Sequence, residues 1–274
     1  MNCEVSVIVP AYNASGTLGR ALDSVYHQSL LPREIIVVDD GSADWEHSRR
    51  IATSYPSEIA VHFLHLDNNQ GPSAARNLGV SMAVGRYVAF LDSDDIWYRH
   101  KLLLQYRLMT NLNLDFSMHP YCHDVTQARA DAESSDDSSP PGLSELHSWT
   151  PLLRNDSTNS VMVRRERMVL YDPSLRRGED FTLYMELLSA SRCRAMYLRR
   201  ELAGGFKSTI GASGLSGDVK AMHEGRMLSL KKLIARGHIG VVQYVFGICT
   251  ETLKYPVRVL RVFLRRARYR ASPR

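Results

Sequence analysis

The sequence predicts an α/β fold in which a doubly wound, mostly parallel sheet carries flanking helices and a helical extension follows at the C-terminus. Three observations lead to this prediction. Short β-branched segments recur through the first 95 residues, segments with helical spacing separate them, and each β-branched segment stops at a proline or an aspartate. Strands that alternate with helices in this way are typically parallel.

The first unit lies at the N-terminus. Residues 5–9 form a short β-branched segment that stops at Pro10, and residues 34–38 form a second one that stops at Asp39. Between them, residues 15–28 place leucine, alanine and valine side chains at helical spacing. We therefore expect a strand, a helix and a parallel strand.

The next unit repeats the pattern. Residues 61–66 alternate as a strand, and Gly71 with Pro72 opens a helical segment that reaches Met82. Residues 87–91 are aromatic and aliphatic, which predicts a short buried strand. Parallel strands place their carboxyl ends at one edge of the sheet, where open α/β sheets bind ligands.

The second half is less regular. Residues 125–142 are rich in Asp, Ala and Ser without apolar periodicity, which predicts a mobile surface loop. Residues 143–153 and 181–188 have helical patterns, and residues 160–163 predict a strand. The Gly- and Ser-rich residues 204–217 predict a flexible loop of the kind that closes on a ligand.

We expect one domain over residues 1–217 and a basic helical extension over residues 218–274. The net charge of +5 is concentrated in the extension, because eight basic residues follow Glu251 and the rest of the chain carries −3. Two interpretations of the extension stay open: a basic amphipathic helix on an anionic membrane surface, or a helix packed on the domain. Nucleic acid is not an expected partner, since the body is acidic and no recognised nucleic-acid-binding module is present.

Composition also indicates the compartment. The four cysteines stand singly, without a C-x-x-C pair or zinc-ligand spacing, so neither a disulfide framework nor a structural zinc site is indicated. The N-terminal residues lack the basic and apolar segments of a signal peptide. We therefore expect a cytoplasmic protein, with the basic extension allowing peripheral contact with the inner face of the membrane.

Polar residues follow all four predicted strand ends. They occupy residues 10–13, 39–42, 67–69 and 92–94. An aromatic ring at Tyr12 could stack on a base, and a carboxylate at Asp40 could accept hydrogen bonds from a base or a sugar. The glycines form neither G-x-G-x-x-G nor a P-loop, so neither of these nucleotide sites is indicated.

Three carboxylates, Asp92, Asp94 and Asp95, stand directly after the fourth predicted strand. Carboxylates this close repel one another unless a cation compensates, and oxygen ligands suit Mg²⁺ or Mn²⁺ better than zinc. A cation at Asp94 could neutralise a diphosphate. The alternative interpretation is an acidic turn that begins a helix near Ile96.

Five segments follow one another in a characteristic order. They are Val5-Ser-Val-Ile-Val-Pro-Ala-Tyr-Asn13, Ile36-Val-Val-Asp-Asp-Gly-Ser42, Gly71-Pro-Ser-Ala-Ala-Arg-Asn77-Leu-Gly79, Phe90-Leu-Asp-Ser-Asp-Asp95 and Gly178-Glu-Asp180. Together, over about residues 3–216, they resemble the signatures of family 2 inverting glycosyltransferases, which have the Rossmann-like GT-A fold of the nucleotide-diphospho-sugar transferase superfamily. The resemblance implies sugar transfer from a nucleotide-diphosphate donor, UDP in particular, to a carbohydrate or lipid-linked hydroxyl acceptor in surface polysaccharide or lipid-linked glycan synthesis, with Mg²⁺ or Mn²⁺.

On that resemblance, residues 1–95 form the nucleotide-sugar-binding half and residues 96–217 the acceptor half. Asp180 is implied as the catalytic base and Asp94 as the metal ligand, while Asp95 is left to begin the following helix. The implied donor contacts are Pro10, Tyr12, Asn13, Asp40, Arg76, Asp92, Ser93 and Lys207. Inversion needs one in-line displacement, so a base must face the acceptor hydroxyl and charge must be stabilised behind the departing diphosphate.

Several of these residues also have structural interpretations. The carboxylates of Glu179 and Asp180 could favour the dipole of the helix that they begin. Arg76 and Asn77 could bind phosphate or join their helix to the sheet. Lys207 could clamp the diphosphate or stay solvated, and this chain has Phe206-Lys207-Ser-Thr209 where many family members have an aromatic residue followed by Arg-x-His.

Two other function classes stay open. A sugar nucleotidyltransferase also needs a metal and carboxylates, but the Gly-rich basic loop that is usual near its N-terminus is missing here. A non-catalytic nucleotide-sugar-binding protein would not need a base such as Asp180 in addition to Asp94.

Overall fold

The fold comes from a computed structural model that describes residues 2–123, 125, 139–206 and 218–271. Its strands are β1 (Cys3–Ala11), β2 (Pro32–Asp39), β3 (Ala60–His65), β4 (Tyr87–Phe90), β5 (Asp95–Trp97), β6 (Phe116–Met118), β7 (Tyr121–His123), β8 (Leu143–Glu145), β9 (Met162–Arg164), β10 (Ala195–Leu198) and β11 (Ala203–Gly205). Its helices are α1 (Leu18–Tyr26), α2 (Trp45–Thr53), α3 (Pro72–Met82), α4 (Lys101–Asn111), α5 (Thr150–Leu153), α6 (Glu179–Ser189), α7 (Val219–Ala235) and α8 (Val241–Ala271). Short 3₁₀ turns lie at Thr158–Ser160 and Arg165–Arg167.

Eight strands form the main sheet in the order β3-β2-β1-β4-β9-β6-β10-β8. β3, β2, β1 and β4 run parallel, whereas β9 runs antiparallel to both of its neighbours, β4 and β6. A smaller sheet has the order β5-β11-β7. The carboxyl ends of the first four strands and the beginning of β9 therefore lie along the same edge.

Helices cover both faces of the main sheet, because successive residues of a strand point to opposite faces. Val7 of β1 belongs to the same buried cluster as Leu22 of α1. Its neighbour Ile8 belongs to a second cluster, with Ala75 of α3 and Leu183 of α6. The doubly wound α/β architecture that the sequence predicts is confirmed.

The N-terminal half follows the predicted elements closely. All four predicted strands are present, and α3 covers the residues expected for it. Pro10 does not stop β1, which continues to Ala11. The proline faces β4, which ends at Phe90 opposite Ile8, so the missing N–H removes no hydrogen bond between strands. Helix α2 is not predicted, because its sequence has few apolar side chains.

Two predictions for the second half are wrong. Asp95 begins β5 rather than a helix, and α4 begins only at Lys101. Residues 143–153 form β8 and the short α5 instead of one helix. The strand expected at residues 160–163 is present but begins at Met162, after a 3₁₀ turn. These strands are short and depend on distant partners, so local patterns do not reveal them.

The C-terminal extension is helical, as expected, and consists of α7 and α8. Leu230 of α7 and Phe246 of α8 belong to one hydrophobic cluster with Phe181 of α6. The first turns of α8 therefore pack on the domain. From Leu253 to Leu264, however, α8 exposes several large apolar side chains.

Two expected loops lie mostly outside the described residues. Residues 126–138 belong to the expected mobile loop 125–142, and residues 207–217 belong to the expected closing loop. Within the ranges that the structure describes, no helix is long and apolar enough to cross a membrane.

Candidate active site

The ends of β1, β2 and β3 are joined by polar contacts. The Asn13 N–H donates to Ser42 Oγ at 2.8 Å, which ties the segment after β1 to the segment after β2. Asp39 Oδ1 accepts from the Ser42 N–H and lies 2.9 Å from His65 Nδ1, at the end of β3. Tyr12 stays 52% exposed at this edge, so its ring is accessible to a ligand.

Asp40 is a buried carboxylate in front of α3. Its Oδ1 accepts from the Gln70 N–H and its Oδ2 from the Gly71 N–H, both at 2.8 Å. Backbone N–H groups at a helix start have no partner within the helix, so Asp40 satisfies two donors of the turn that leads into Pro72. Each carboxylate oxygen keeps a second lone pair for a hydrogen bond from a ligand.

Arg76 is a buried cation between the two acidic motifs. Its Nη2 donates to Asp92 Oδ1 at 2.8 Å, and its Nη1 lies 3.5 Å from Glu179 Oε1. Burial opposes the charge, but the Asp92 carboxylate, with Tyr171 and Glu179, raises the pKa of Arg76 above its ordinary value. Arg76 is therefore a permanent positive charge that joins α3 to the end of β4 and the start of α6.

Asn77 joins α3 to the loop before α6. Its Nδ2 donates to the Tyr171 carbonyl oxygen at 2.9 Å, and its Oδ1 accepts from the Tyr171 N–H at 2.8 Å. Asn77 therefore has a structural contact, but it joins α3 to the loop before α6 and not, as the structural interpretation expected, to the sheet. The guanidinium of Arg76 is likewise held by carboxylates of the protein.

Asn159 is a site residue that the sequence does not indicate. It is buried in the 3₁₀ turn before β9. Its Oδ1 accepts from the Asp92 N–H at 2.5 Å, and its Nδ2 lies 3.3 Å from Asp92 Oδ2 and 2.5 Å from Asp95 Oδ2. The Tyr121 hydroxyl also donates to Asp95 Oδ2, at 2.7 Å. Asp95 is therefore a structural carboxylate that links the small sheet to the turn before β9.

Ser93 and Asp94 are partly exposed between the anchored residues Asp92 and Asp95. Helix α1 reaches this segment through Arg20. The Arg20 Nη2 donates to the Asp94 carbonyl oxygen at 3.0 Å, and the same guanidinium stacks on the Phe206 ring, 3.9 Å from its centre. Arg20 thus connects the Asp94 backbone to the Phe206 ring.

The acidic segment contains Asp94, the metal ligand that the sequence resemblance implies. Both oxygens of Asp92 already contact Arg76 or Asn159. Among the residues that the structure describes, no group of three or more His, Cys, Asp and Glu side chains could hold a metal ion. Mg²⁺ is commonly bound by one or two carboxylates together with substrate phosphates. The few carboxylate ligands present therefore fit a cation that the protein binds together with a diphosphate.

Asp180 lies in the first turn of α6. Gly178 starts this helix with φ of 79°, a left-handed conformation that favours glycine. Asp180 Oδ2 accepts from the Asn155 side-chain amide at 2.9 Å, and its Oδ1 accepts from the Phe181 N–H at 2.6 Å. The side chain is only partly buried, so an acceptor hydroxyl could still approach it.

Glu179 has a different environment from that of Asp180. Burial and the charge of Asp180 raise the pKa of Glu179 to about 7, against the lowering effect of Arg76. A carboxyl group that titrates near neutral pH beside a second carboxylate is typical of functional sites. The sequence carries no sign of the raised pKa of Glu179, because the shift depends on burial by distant residues.

The structure brings the predicted site residues to one edge of the sheet. Arg76 and Glu179 connect Asp92 to Asp180, and Asp94 follows Asp92 closely. The other described members lie at or just beyond the ends of β1, β2 and β4: Pro10, Tyr12, Asn13, Asp40 and Ser93. Lys207 lies outside the described residues.

Comparison with known proteins identifies the family of this chain. Residues 6–170, more than half of the chain, match the family model described as glycosyl transferase family 2. An uncharacterised glycosyltransferase of Rickettsia conorii is 31% identical over 188 residues, which are 68% of this chain and 30% of that protein. The Escherichia coli UDP-Glc:alpha-D-GlcNAc-diphosphoundecaprenol beta-1,3-glucosyltransferase WfgD is 37% identical over 117 residues, or 43% of this chain and 45% of that protein. The matches thus span less than half the length of both relatives.

A solved structure has the same fold. The mannosyltransferase PcManGT from Pyrobaculum calidifontis, in complex with GDP-Man and Mn²⁺, matches with a TM-score of 0.65 and 19% identity, over 100% of this chain and 77% of that chain. At this identity the likeness establishes the fold alone, which is that of the GT-A glycosyltransferases. The family model, the ordered segments and the fold agree, so this chain belongs to glycosyl transferase family 2.

Proposed function

We propose that this enzyme transfers a sugar, with inversion, from a nucleotide-diphosphate donor to a hydroxyl group of a carbohydrate or lipid-linked acceptor. The pair of ion contacts made by Arg76 carries the proposal. They hold Asp92, after a strand of the donor half, close to Glu179, the neighbour of Asp180. Residues suited to bind the donor and a candidate base therefore stand side by side.

Asp180 is the candidate general base. It accepts the proton of the acceptor hydroxyl while that oxygen forms a bond to the anomeric carbon of the donor sugar. The bond between the anomeric carbon and the diphosphate oxygen breaks, and the nucleoside diphosphate leaves with the electron pair. The hydrogen bonds from Asn155 and the Phe181 N–H fix the direction of the Asp180 carboxylate.

Asp94 would hold Mg²⁺ or Mn²⁺ jointly with the donor diphosphate. When bound, the cation supplies positive charge that stabilises the departing diphosphate. The exposed ring of Tyr12 would stack on the base, and Asp40 would accept a hydrogen bond from the base through its remaining lone pairs. Asp92, held by Arg76, would contact the ribose. Pro10, Asn13 and Ser93 would complete the wall of the donor site.

A UDP-sugar is the donor that we favour. The relative WfgD is named for UDP-Glc and a diphosphoundecaprenol acceptor and is 37% identical over the matched residues, whereas PcManGT, in complex with GDP-Man, is 19% identical. The matched part of WfgD is 45% of its length. We extend the proposal to a surface polysaccharide or lipid-linked glycan, assembled at the cytoplasmic face of a membrane.

Thermal shift measurements test the donor. UDP-Glc, UDP-GlcNAc and GDP-Man are added separately, each with and without Mn²⁺. A ligand that binds only the folded state at a hundred times its Kd stabilises it by about 2.7 kcal/mol. We expect an Mn²⁺-dependent rise in Tm with a UDP-sugar. The donor proposal is wrong if none of the three changes Tm at millimolar concentration.

Product analysis tests the stereochemistry. The donor that stabilises the protein is incubated with Mn²⁺ and a diphosphoundecaprenol-linked sugar, and the new linkage is assigned by ¹H NMR. An α-linked donor should give a β-linked product, because a single displacement inverts the anomeric carbon. An α-linked product contradicts inversion but leaves the assignment as a glycosyltransferase intact.

We further propose that the C-terminal part of α8 lies on an anionic membrane surface. Leu253, Val257, Leu260 and Leu264 are each at least 48% exposed and recur every three or four residues, which places them on one face of the helix. Arg261 is exposed within the same stretch. Helices that combine an exposed apolar face with basic residues typically lie at a membrane interface.

Vesicle sedimentation at low salt tests this surface. We expect the protein to sediment with phosphatidylglycerol-containing vesicles and less with pure phosphatidylcholine vesicles. The double variant Val257→Asp/Leu260→Asp should stay in the supernatant, whereas Leu228→Asp, which changes an exposed leucine on α7, should sediment normally. Equal sedimentation of the double variant and the wild type rejects the membrane role.

A further inference from the structure

One buried amide contacts Asp92 at both its backbone and its side chain. Asn159 Oδ1 accepts from the Asp92 N–H at 2.5 Å, and Asn159 Nδ2 lies 3.3 Å from Asp92 Oδ2. Asn159 is completely buried, whereas the Asp92 side chain is 29% exposed. The contacts therefore fix a carboxylate that a ligand can still reach.

The Asp92 carboxylate is held from two sides. Its Oδ1 accepts from Arg76 Nη2 at 2.8 Å, and its Oδ2 faces the Asn159 amide. Arg76 belongs to α3, and Asn159 belongs to the turn before β9. Each carboxylate oxygen has two lone pairs, so each keeps one for a hydroxyl group of a ligand. Arg76 and Asn159 together set the direction in which these lone pairs point.

The Asn159 amide also serves Asp95. Its Nδ2 lies 2.5 Å from Asp95 Oδ2 and 2.9 Å from Ser157 Oγ. A side-chain amide has two N–H donors and a carbonyl acceptor, so it can serve the Asp92 N–H and a neighbouring carboxylate at once. A carboxylate at position 159 would repel Asp92 and Asp95, and an apolar side chain would remove the partner of the Asp92 N–H. The chemistry of an amide is therefore required at this position.

The turn that carries Asn159 is anchored from behind by buried donors. Trp97 Nε1 donates to the Asn159 carbonyl oxygen at 3.0 Å, and Gln105 Nε2 donates to the Ser160 carbonyl oxygen at 3.0 Å. Gln105 Oε1 in turn accepts from Lys101 Nζ at 2.6 Å. The Asn159 side chain therefore extends from a backbone that is already fixed.

The segment that contains Asn159 also reaches Asp180. Asn155, four residues earlier in the chain, donates to Asp180 Oδ2 at 2.9 Å. Between the two asparagines, Asp156 Oδ2 accepts from the Tyr197 hydroxyl at 3.0 Å. One short segment therefore contacts both the carboxylate proposed for the donor and the carboxylate proposed as the base.

We propose that Asn159 is a positioning residue for Asp92 and that it contributes to donor nucleotide binding through that carboxylate. The proposal rests on the proposed function, in which Asp92 contacts the ribose. Asn159 is completely buried, so it acts on the ribose only by holding Asp92 in one direction. Arg76 supplies the charge that balances Asp92, and Asn159 supplies the orientation of its second oxygen.

A purely structural role of Asn159 predicts a different result. Asn159 also contacts Asp95, and the Tyr121 hydroxyl donates to the same Asp95 oxygen at 2.7 Å. Tyr121→Phe removes that hydrogen bond and leaves the contacts of Asp92 in place, so it is the matched control. If Asn159 served the fold alone, Asn159→Ala and Tyr121→Phe would both lower stability and leave the nucleotide affinity of the folded protein unchanged.

Isothermal titration calorimetry with UDP and Mn²⁺ measures nucleotide affinity without turnover, and GDP is titrated in parallel. We expect Asn159→Ala to raise the Kd by about tenfold, a cost typical of losing a group that orients a ligand-binding side chain. Tyr121→Phe should leave the Kd unchanged. A double-mutant cycle shows whether Asn159 acts through Asp92. Asp92→Asn alone should raise the Kd, and Asn159→Ala should add little in that background, because the carboxylate that it orients is gone.

The possible results separate this proposal from the proposed function. A Kd of folded Asn159→Ala that equals that of the wild type overturns the role of Asn159 and leaves the donor proposal intact. Effects of Asn159→Ala and Asp92→Asn that simply add also overturn it. Should Asn159→Ala fail to fold, Asn159→Ser, which keeps a small polar group, gives the same measurement. If the wild type binds neither UDP nor GDP, the donor proposal itself is wrong and the role of Asn159 falls with it.

Discussion

Arg76 donates to Asp92 at 2.8 Å from a side chain that is almost completely buried. The same guanidinium reaches Glu179, so one cation balances carboxylates from two distant parts of the chain. A buried charge that loses its partner lowers the stability of the fold strongly, whereas a buried cation paired with carboxylates does not. The acidic edge of the sheet therefore depends on Arg76 for its stability before any ligand binds.

Arg76→Met should lower the free energy of unfolding by about 3 kcal/mol, the lower end of the cost of breaking a buried pair, because Asp92 is partly exposed. Urea unfolding measures the change. The double variant Arg76→Met/Glu179→Gln should recover part of the loss, since one unpaired carboxylate is then neutral. A double variant that is less stable than the single one contradicts this account.

Asp180→Asn should reduce kcat by about 10² to 10⁴, the usual contribution of a positioned general base. The amide keeps the size of the side chain, so donor binding should stay close to that of the wild type. One of the two hydrogen bonds that Asp180 accepts is lost, so Tm should fall slightly. Transfer is measured by UDP release with a saturating acceptor. A loss below tenfold would remove Asp180 from the catalytic role.

Asp94→Asn and Asp95→Asn form a matched pair with opposite expected outcomes. Asp94→Asn should abolish the Mn²⁺-dependent part of donor stabilisation. Asp95→Asn should destabilise the free protein by about 1–3 kcal/mol, because Asp95 accepts from Tyr121 and Asn159 in a buried position. Thermal shift with and without Mn²⁺ and UDP distinguishes the two. Equal effects of both variants on the Mn²⁺-dependent change in Tm would contradict the assignment of Asp94 as metal ligand and Asp95 as structural residue.

Glu179 should make stability fall as the pH rises. Its pKa is about 7 in the folded protein and 4.5 ordinarily, so the folded state binds the proton more tightly. The resulting stabilisation is fully present below pH 4.5 and is lost as the pH rises through about 7. Glu179→Gln should remove up to about 1.4 kcal/mol per pH unit of this dependence. Urea unfolding between pH 5 and pH 8, with Glu166→Gln as an exposed control, measures it.

Lys101 should have the opposite effect. It is completely buried, and burial holds its pKa well below the ordinary 10.5. The unfolded state then binds the proton more tightly, so stability is reduced at neutral pH and rises as the pH approaches 10.5. The free energy of unfolding of Lys101→Met should change less between pH 7 and pH 9 than that of the wild type. That of Lys231→Met, at an exposed position, should change as much as that of the wild type. Parallel curves for wild type and Lys101→Met would show that the buried amine is charged.

The fold of the first 95 residues was predictable because its signals are local. The β-branched segments end at residues that cannot continue a buried strand, and Gly71 with Pro72 marks the start of α3. Parallel strands then bring their ends together without further information, which is why Tyr12, Asp40 and Asp92 could be assigned to one edge.

The remaining site residues depend on distant contacts. Asn159 precedes an antiparallel strand, so it is the beginning of β9, and not its end, that meets Asp92. Asp95 pairs in a sheet with residues more than a hundred positions away. Periodicity cannot reveal contacts of this kind, because they are set by packing.

Because β9 runs antiparallel to β4, the connection before β9 can change without a change in the parallel strands. The chain enters β9 at the edge where Asn159 meets Asp92, after a connection that runs from β8 through α5 and the 3₁₀ turn Thr158–Ser160. Insertions or replacements within that connection would reshape one wall of the site, while the parallel strands that carry the opposite wall keep their pairing. Chimeras joined within this connection should therefore exchange acceptor preference and retain the donor of the parent that supplies β1 to β4.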